Sequence, residues 1–273
     1  MADRNLDVYF RSGRFTTREG MMLDIPPSGF DWRAIGGVPA VVDPYAESLT
    51  QQFPLGTKLV YGSRVYRYGR MGATAGVAGN LYQAVVPLAG HIDEVIGTHA
   101  VGATAIDFTP AVAATDDLAL NELQDGFFHP NDEAGEGLEY LIKSHPAITG
   151  AVLGVLTLID PLVIAIVAAG TGTVTHNKFR SVIIHGSPPT APVAGVAKRA
   201  VTAAYYCWLQ VGGPCSVLTQ GTLVVADFCV PSATVDGAVM PSAAVETDGP
   251  PVGHVMAVNV DTEYSQIWLT IES

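Results

Sequence analysis

The chain has 273 residues, enough for one large or two small domains with a buried core. Hydrophobic residues make up 48% of it and charged residues only 15%, and the formal net charge is -12. That balance excludes nucleic acid as a main partner, because phosphate binding needs a basic surface.

The charge is unevenly spread. Residues 1–70 carry nine Lys and Arg against seven Asp and Glu, which leaves the remainder at -14. A mildly basic leading segment suits docking on an acidic neighbour, although ordinary fluctuation of surface charge gives the same pattern. The 29 Gly and 18 Pro follow no period, as in a turn-rich β protein. Cys207, Cys215 and Cys229 are odd in number and lack metal-type spacing. They read as small buried hydrophobes, with a Cys207–Cys215 or Cys207–Cys229 bridge as the alternative. The opening MADRNLDVYF has no apolar core of the secretory kind, so no signal peptide is expected.

In chain order, residues 1–52 read as an extended arm. Arg4, Arg11, Arg14, Arg18 and Arg33 are interspersed with Tyr9, Phe10, Phe15, Phe30 and Trp32, and Pro and Gly interrupt any regular element. So much apolar surface on an irregular segment is expected to lie on the body or on a neighbouring subunit, and these ten residues are the expected interface. Residues 53–68 form the clearest hairpin. Leu59-Val60-Tyr61 and Arg64-Val65-Tyr66 flank Gly62-Ser63, a two-residue turn of type II′, which sets Val60 opposite Val65 and Leu59 opposite Tyr66. Residues 69–79 then read as a flexible Gly/Ala loop. Gly69, Gly72, Gly76 and Gly79 recur there without the Lys-Ser/Thr or the helix start that a phosphate loop requires.

Short strands are expected at 81–86, 94–105, 105–109 and 140–144, with a helical turn at 118–123. Residues 125–137 are acidic, but Asp125, Asp132, Glu133 and Glu136 do not have the spacing of a calcium-binding loop. Residues 148–169 are long and apolar enough to cross a bilayer. Asp160-Pro161 near the centre argues instead for a turn between two buried strands at 152–159 and 162–167. A further strand is expected at 179–185, and Pro-rich 187–192 marks the best internal boundary.

Residues 202–241 hold four β-type runs, broken at Gly212-Gly213-Pro214 and Thr219-Gln220-Gly221. Two last strands, 255–260 and 266–271, turn Ile267, Leu269 and Ile271 inward. The resulting segmentation is an arm (1–52), a β-rich body (53–192) and a C-terminal β subdomain (193–273).

No catalytic signature appears. His91 and His99 are eight apart, which fits no helical ligand pair, and Asp93-Glu94 near His91 is a weak metal motif. Cys215 after Gly-Gly-Pro is the one imaginable nucleophile, without an orienting third group, so a Cys-dependent hydrolase is the least favoured reading. No enzymatic activity, cofactor, metal or small-molecule ligand is expected.

The segment FPLGTKLVYGSRVYRYGRMGATAGVAGNLYQ resembles the early part of tailed-bacteriophage virion structural proteins. So do the later GEGLEYLIKSHPA, TLIDPLVIAI, AYYCWLQVGGPCSVLTQGTLVV, VPSATVDGAVMP and PPVGHVMAVNVDTEYSQIWLTI. The resemblance, to capsid decoration (cement) proteins, covers residues 50–273. It implies an all-β protein of one or two small antiparallel barrel or sandwich (β-tulip-like) domains behind an extended N-terminal arm. It further implies many copies on the outer capsid surface, often as trimers, with the major capsid protein as partner and assembly in the host cytoplasm. Neither nucleic acid nor membrane is an expected partner. A tail or spike protein that binds host glycan through Tyr205, Tyr206 and Trp208 is the alternative.

Overall fold

A computed structural model describes residues 13–37, 39, 41–112, 114–167, 170–242 and 249–272. Apart from short 3-10 turns at Trp32–Ile35, Ala89–His91 and Ala114–Asp116, every described regular element is a strand. The first six are β1 (Gly13–Thr16), β2 (Met22–Ile25), β3 (Glu47–Ser48), β4 (Lys58–Tyr61), β5 (Arg64–Arg70) and β6 (Leu81–Gln83). The next six are β7 (Glu94–Val95), β8 (Ala105–Phe108), β9 (Phe127–Pro130), β10 (Tyr140–Ser144), β11 (Gly154–Leu158) and β12 (Thr171–Thr175). The last seven are β13 (Ile183–Ile184), β14 (Val193–Ala197), β15 (Tyr206–Leu218), β16 (Phe228–Pro231), β17 (Val239–Pro241), β18 (Gly253–Ala257) and β19 (Tyr264–Thr270). Each strand pairing is antiparallel, and the chain is all-β as its turn-rich composition predicts.

The chain divides into two compact units. The first holds the described residues of Met1–Pro26, Trp32–Val86 and Lys178–Ser273; the second holds Pro27–Asp31 and Pro87–Asn177. This division departs from the expected segmentation. Residues 53–86 belong with 178–273 because β5 and β6 pair with β15 and β14. The Pro-rich 187–192 lies inside the first unit, between β13 and β14, which both pair with β6.

In the first unit the sheet runs β1-β2-β4-β5-β15-β19-β18-β16-β17, with β3, β6, β13 and β14 off that path. β15 is its spine, pairing with β5 over its first half and with β19 over its second. The Gly212-Gly213-Pro214 break expected from the sequence does not occur. Gly213 takes a φ of 78°, and the Gln210 amide donates to the Gly212 and Pro214 carbonyls, so the strand passes through with a register shift. The β4–β5 hairpin has the expected register, Leu59 with Tyr66 and Val60 with Val65, and Gly62 has the positive φ that its turn requires.

The expected arm is drawn into this sheet from Gly13 onward. β2 pairs with β4, and its alternation buries Leu23 and Ile25 while Met22 faces solvent. Residues 69–79 are likewise pinned rather than free, by Gly72 N–H on the Val182 carbonyl and reciprocal bonds between Gly76 and Val201. Two cores result, one around Val196, Cys215, Val239, Ile267 and Leu269, the other around Met71, Tyr82, Val182, Cys207 and Leu209.

The second unit is a six-stranded sheet, β7-β12-β9-β10-β11-β8. The Thr109 amide donates to the Val95 carbonyl at 3.3 Å and so brings the β8 end of the sheet back to β7. Phe108, Phe128, Ile142, Ile148, Leu156 and Leu158 fill the space within. Residues 27–31 clip onto this unit. Ser28 Oγ and Gly29 N donate to Asp125 Oδ1 at 2.6 and 3.2 Å, and a β-carbon at Gly29 would lie 2.0 Å from the Lys143 carbonyl oxygen.

The apolar stretch 148–169 supplies β11 but not the second expected strand. Among the described residues after Asp160-Pro161, Ile166 alone bridges, to His99, and no further strand forms up to residue 167. No described helix is long and apolar enough to cross a membrane. The expected strands at 223–225 and 179–185 shrink to a turn and to β13.

Candidate functional site

Of the ten residues expected at an interface, Arg4, Tyr9, Phe10 and Arg11 lie outside the described residues. Arg14 and Arg18 are exposed, and Arg14 pairs with Asp24 across the β1–β2 hairpin at 3.2 Å. Phe15 and Phe30 are half-buried, and Arg33 sits in the 3-10 turn. Trp32 is buried, its ring edge-on to Phe53 at 6.1 Å. Phe30 belongs to the second unit and the other described ones to the first.

The expected weak points for chemistry stay dispersed. His91 is buried, with Nε2 2.9 Å from the Asp116 carbonyl, whereas Asp93 turns to Thr171 and Asn131. Asp125 is spent on the Ser28–Gly29 clip and Asp132 accepts from the Thr171 amide. No group of three or more His, Cys, Asp or Glu side chains among the described residues is placed to hold a metal ion.

The three cysteines are free and buried. Burial pushes Cys207 and Cys229 up to about 12. Cys215 is also raised by burial, against the pull of Lys198, whose Nζ lies 3.4 Å from its sulfur. Such thiols are poor nucleophiles, because the thiolate is the reactive form.

The concave feature that the register does assemble lies in the first unit. Tyr206 and Trp208 are two apart on β15 and share a face, while Cys207 and Leu209 fill the core behind them. Pairing sets Tyr68 of β5 opposite Trp208, with ring centroids 5.0 Å apart. Phe53 packs 5.3 Å from both rings, and Tyr68 stacks on Tyr206 at 5.9 Å with an interplanar angle of 9°. On the other side of Tyr206, β3 pairs Ser48 with Tyr206 and Glu47 with Cys207.

Between these walls and Pro39, Val41, Val42 and Ala46 lies a cleft of about 120 Å³, with Asp43 and Glu47 among its lining residues. Glu47 accepts from Thr202 N at 2.6 Å and meets Arg199 Nη2 at 3.3 Å. Asp43 is exposed, accepts from Tyr45 N, and has no ion-pair partner among the described residues. Burial raises the Tyr68 hydroxyl well above its ordinary range, although the Gln52 amide donates to it.

The aromatic run considered for a glycan groove is thereby split. Tyr205 packs against the core, Trp208 is buried, and only Tyr206 is half-exposed beside the cleft. Pro39, Val42, Asp43 and Glu47 were missed as lining groups, since only the β3–β15 pairing brings them to the aromatic run.

A second feature belongs to the second unit. Residues 110–112 and 114–120 meet residues 148–153, bonded by Ala151 N to the Pro110 carbonyl, Gly150 N to Asp117 and reciprocal bonds between Leu118 and Ile148. Val112, Leu120, Val152 and Leu153 on these segments are between 54% and 82% exposed. At the other end of the β8–β11 pair, Gly102 and Ala103 bond Leu162, and Val101, Val163 and Ile164 are exposed. The apolar stretch 148–167 thus sends Ile148, Leu156, Leu158, Leu162 and Ile166 inward, half-buries Ile159 and leaves Val152, Leu153, Val155, Val163, Ile164 and Val167 exposed.

No protein-family model, curated protein or solved structure matches the chain.

Proposed function

We propose that the chain is a non-enzymatic structural protein of the tailed-bacteriophage virion, a decoration (cement) protein that binds the outer capsid surface and stabilises contacts between capsomers. Its partners in this reading are the major capsid protein and further copies of itself, as a trimer, assembled in the host cytoplasm. The resemblance in residues 50–273 suggests the capsid. The observation that carries a binding role is the uncovered aliphatic surface of the second unit, with Val112, Leu120, Val152 and Leu153 at one end of the β8–β11 pair. Exposed apolar side chains grouped on neighbouring segments of a chain with few charges support a surface that another protein covers. Two antiparallel units with their own cores supply the stiffness that a molecular staple needs.

The test is co-sedimentation of the purified full chain with phage heads that lack it. The wild type is expected to bind, and Leu153→Asp combined with Val112→Asp to bind at least about tenfold more weakly while keeping its β-type circular dichroism. Failure of the wild type to sediment with the heads would overturn the reading.

A further inference from the structure

In the first unit, the run of strands β15-β19-β18-β16-β17 contains no Asp, Glu, Lys or Arg. Their inward side chains, among them Cys215, Cys229, Val255, Ile267 and Leu269, fill one core. Alternation sends the intervening residues to the opposite face, which in a solvated antiparallel sheet is polar. Here the register lines up a ringed, apolar row instead. Pro214 stands opposite Trp268, Trp268 opposite His254, and His254 opposite Phe228. Phe228 meets the His254 ring edge-on at 6.4 Å, and His254 stacks on Trp268 at 6.4 Å. Phe228 is 57% exposed, and Met256, two residues beyond His254, is exposed as well. Pro214, His254 and Trp268 are half-buried. The Ala226 amide donates to the Val255 carbonyl and brings the exposed Val224 and Val225 to the same strand. Charged side chains stand in the adjoining turns, where Asp227, Asp261 and Glu263 are exposed.

An apolar, aromatic centre inside a charged rim is how protein interfaces are built. Formal charge decides the occupant. The segments of the second unit hold thirteen Asp and Glu against one basic residue, Lys143, which equals the whole net charge of -12 and leaves the first unit neutral. Two copies meeting through their second units would press two such charges together. Two copies meeting through the charge-free strands of the first unit escape that repulsion. Contacts between identical subunits are also the more apolar class of interface.

We propose that the outer face of β15-β19-β18-β16 seats a second copy of this chain, centred on Trp268 and Phe228. Burial of these rings and of Met256 drives the contact, while the turn carboxylates stay in water at its rim. The inference rests on the reading above, in which copies of the chain act together, and assigns the surface through which they meet.

Sedimentation velocity of the purified full chain, at about 1 to 100 µM and without phage heads, tests it. The wild type is expected to sediment with the mass of two or more chains. It should hold together at least as well in about 1 M salt, because the contact contains no ion pair to screen. Phe228→Glu combined with Met256→Glu, both at exposed positions, is expected to weaken association at least about tenfold while keeping β-type circular dichroism. Val95→Glu, also at an exposed position but on β7 of the second unit, is expected to leave association unchanged. A wild type that stays monomeric at about 100 µM would overturn the proposal. So would a double variant that associates like the wild type, a Val95→Glu variant that falls apart, or an assembly that salt dissolves. Binding to heads is read separately. Its loss with association intact strikes the capsid reading alone, whereas a monomer that still binds heads strikes this proposal alone.

Discussion

The backbone of Ser63, at the tip of the β4–β5 hairpin, passes over Gly213 so closely that a β-carbon there would sit 2.0 Å from the Ser63 carbonyl oxygen. Gly213 also holds a φ of 78°, which only glycine adopts without strain. Two demands therefore meet at one residue in the middle of the longest strand, and they lock the first hairpin to the spine of the sheet.

Gly213→Ala should lower stability by roughly 2–4 kcal/mol, strain and overpacking together. Gly20→Ala should lose only about 1 kcal/mol, since Gly20 has a similar φ and nothing near its absent β-carbon. Urea unfolding of the two variants tells them apart.

The Glu272 carboxylate receives Arg67 Nε at 2.6 Å and Lys178 Nζ at 2.8 Å. Burial alone would raise its pKa, but Lys178 and Arg67 overcome burial and hold it below the usual value. A depressed folded-state pKa stabilises the protein above the unfolded value of about 4.5, and that contribution disappears as pH falls through the folded value. Glu272→Gln is expected to cost about 1–2 kcal/mol at pH 7 and progressively less toward pH 3, read from unfolding midpoints across that range.

His185 is fully buried, and burial lowers its pKa below 6.5 even though Asp236 and nearby backbone groups pull it upward. The unfolded chain takes up a proton that the folded chain refuses. Stability from this group is complete above pH 6.5 and erodes as pH drops below it. The melting temperature of wild type should fall between pH 7 and pH 5.5 more steeply than that of His185→Gln.

The buried thiols give a kinetic signature. With Cys207 and Cys229 at about 12, a thiol reagent at pH 8 should leave the native protein almost unlabelled and label three cysteines once urea unfolds it. Rapid labelling of native Cys215 would show that Lys198 outweighs burial there.

Leu153 and Leu156 are three residues apart and opposite in role. Leu156 is fully buried in the second unit's core and Leu153 faces solvent. Leu156→Ala should cost about 2–5 kcal/mol and Leu153→Ala less than about 0.5 kcal/mol in chemical denaturation.

What the sequence revealed was local. The Gly62-Ser63 turn and its flanking pairs needed only a few residues, and the inward set Ile267 and Leu269 followed from strict alternation. Continuity of β15 through Gly212-Gly213-Pro214 was hidden because a distant strand, β19, and the Gln210 side chain stabilise it. The short β2, bounded by Gly20 and Pro26-Pro27, looked like arm until β4 paired with it. The cleft was only partly legible. Tyr206 and Trp208 stand in one run, but Phe53, Tyr68, Asp43 and Glu47 come from far earlier in the chain, and the pairing of β3 and β5 with β15 brings them there.

The central claim is that this chain is a capsid decoration protein, and counting copies per virion by quantitative mass spectrometry against the major capsid protein tests it most directly. The account predicts on the order of hundreds of copies, a fixed small-integer ratio to the capsid subunit, as symmetric decoration requires. A handful of copies would place the protein in the tail or portal, and none at all would contradict the account outright.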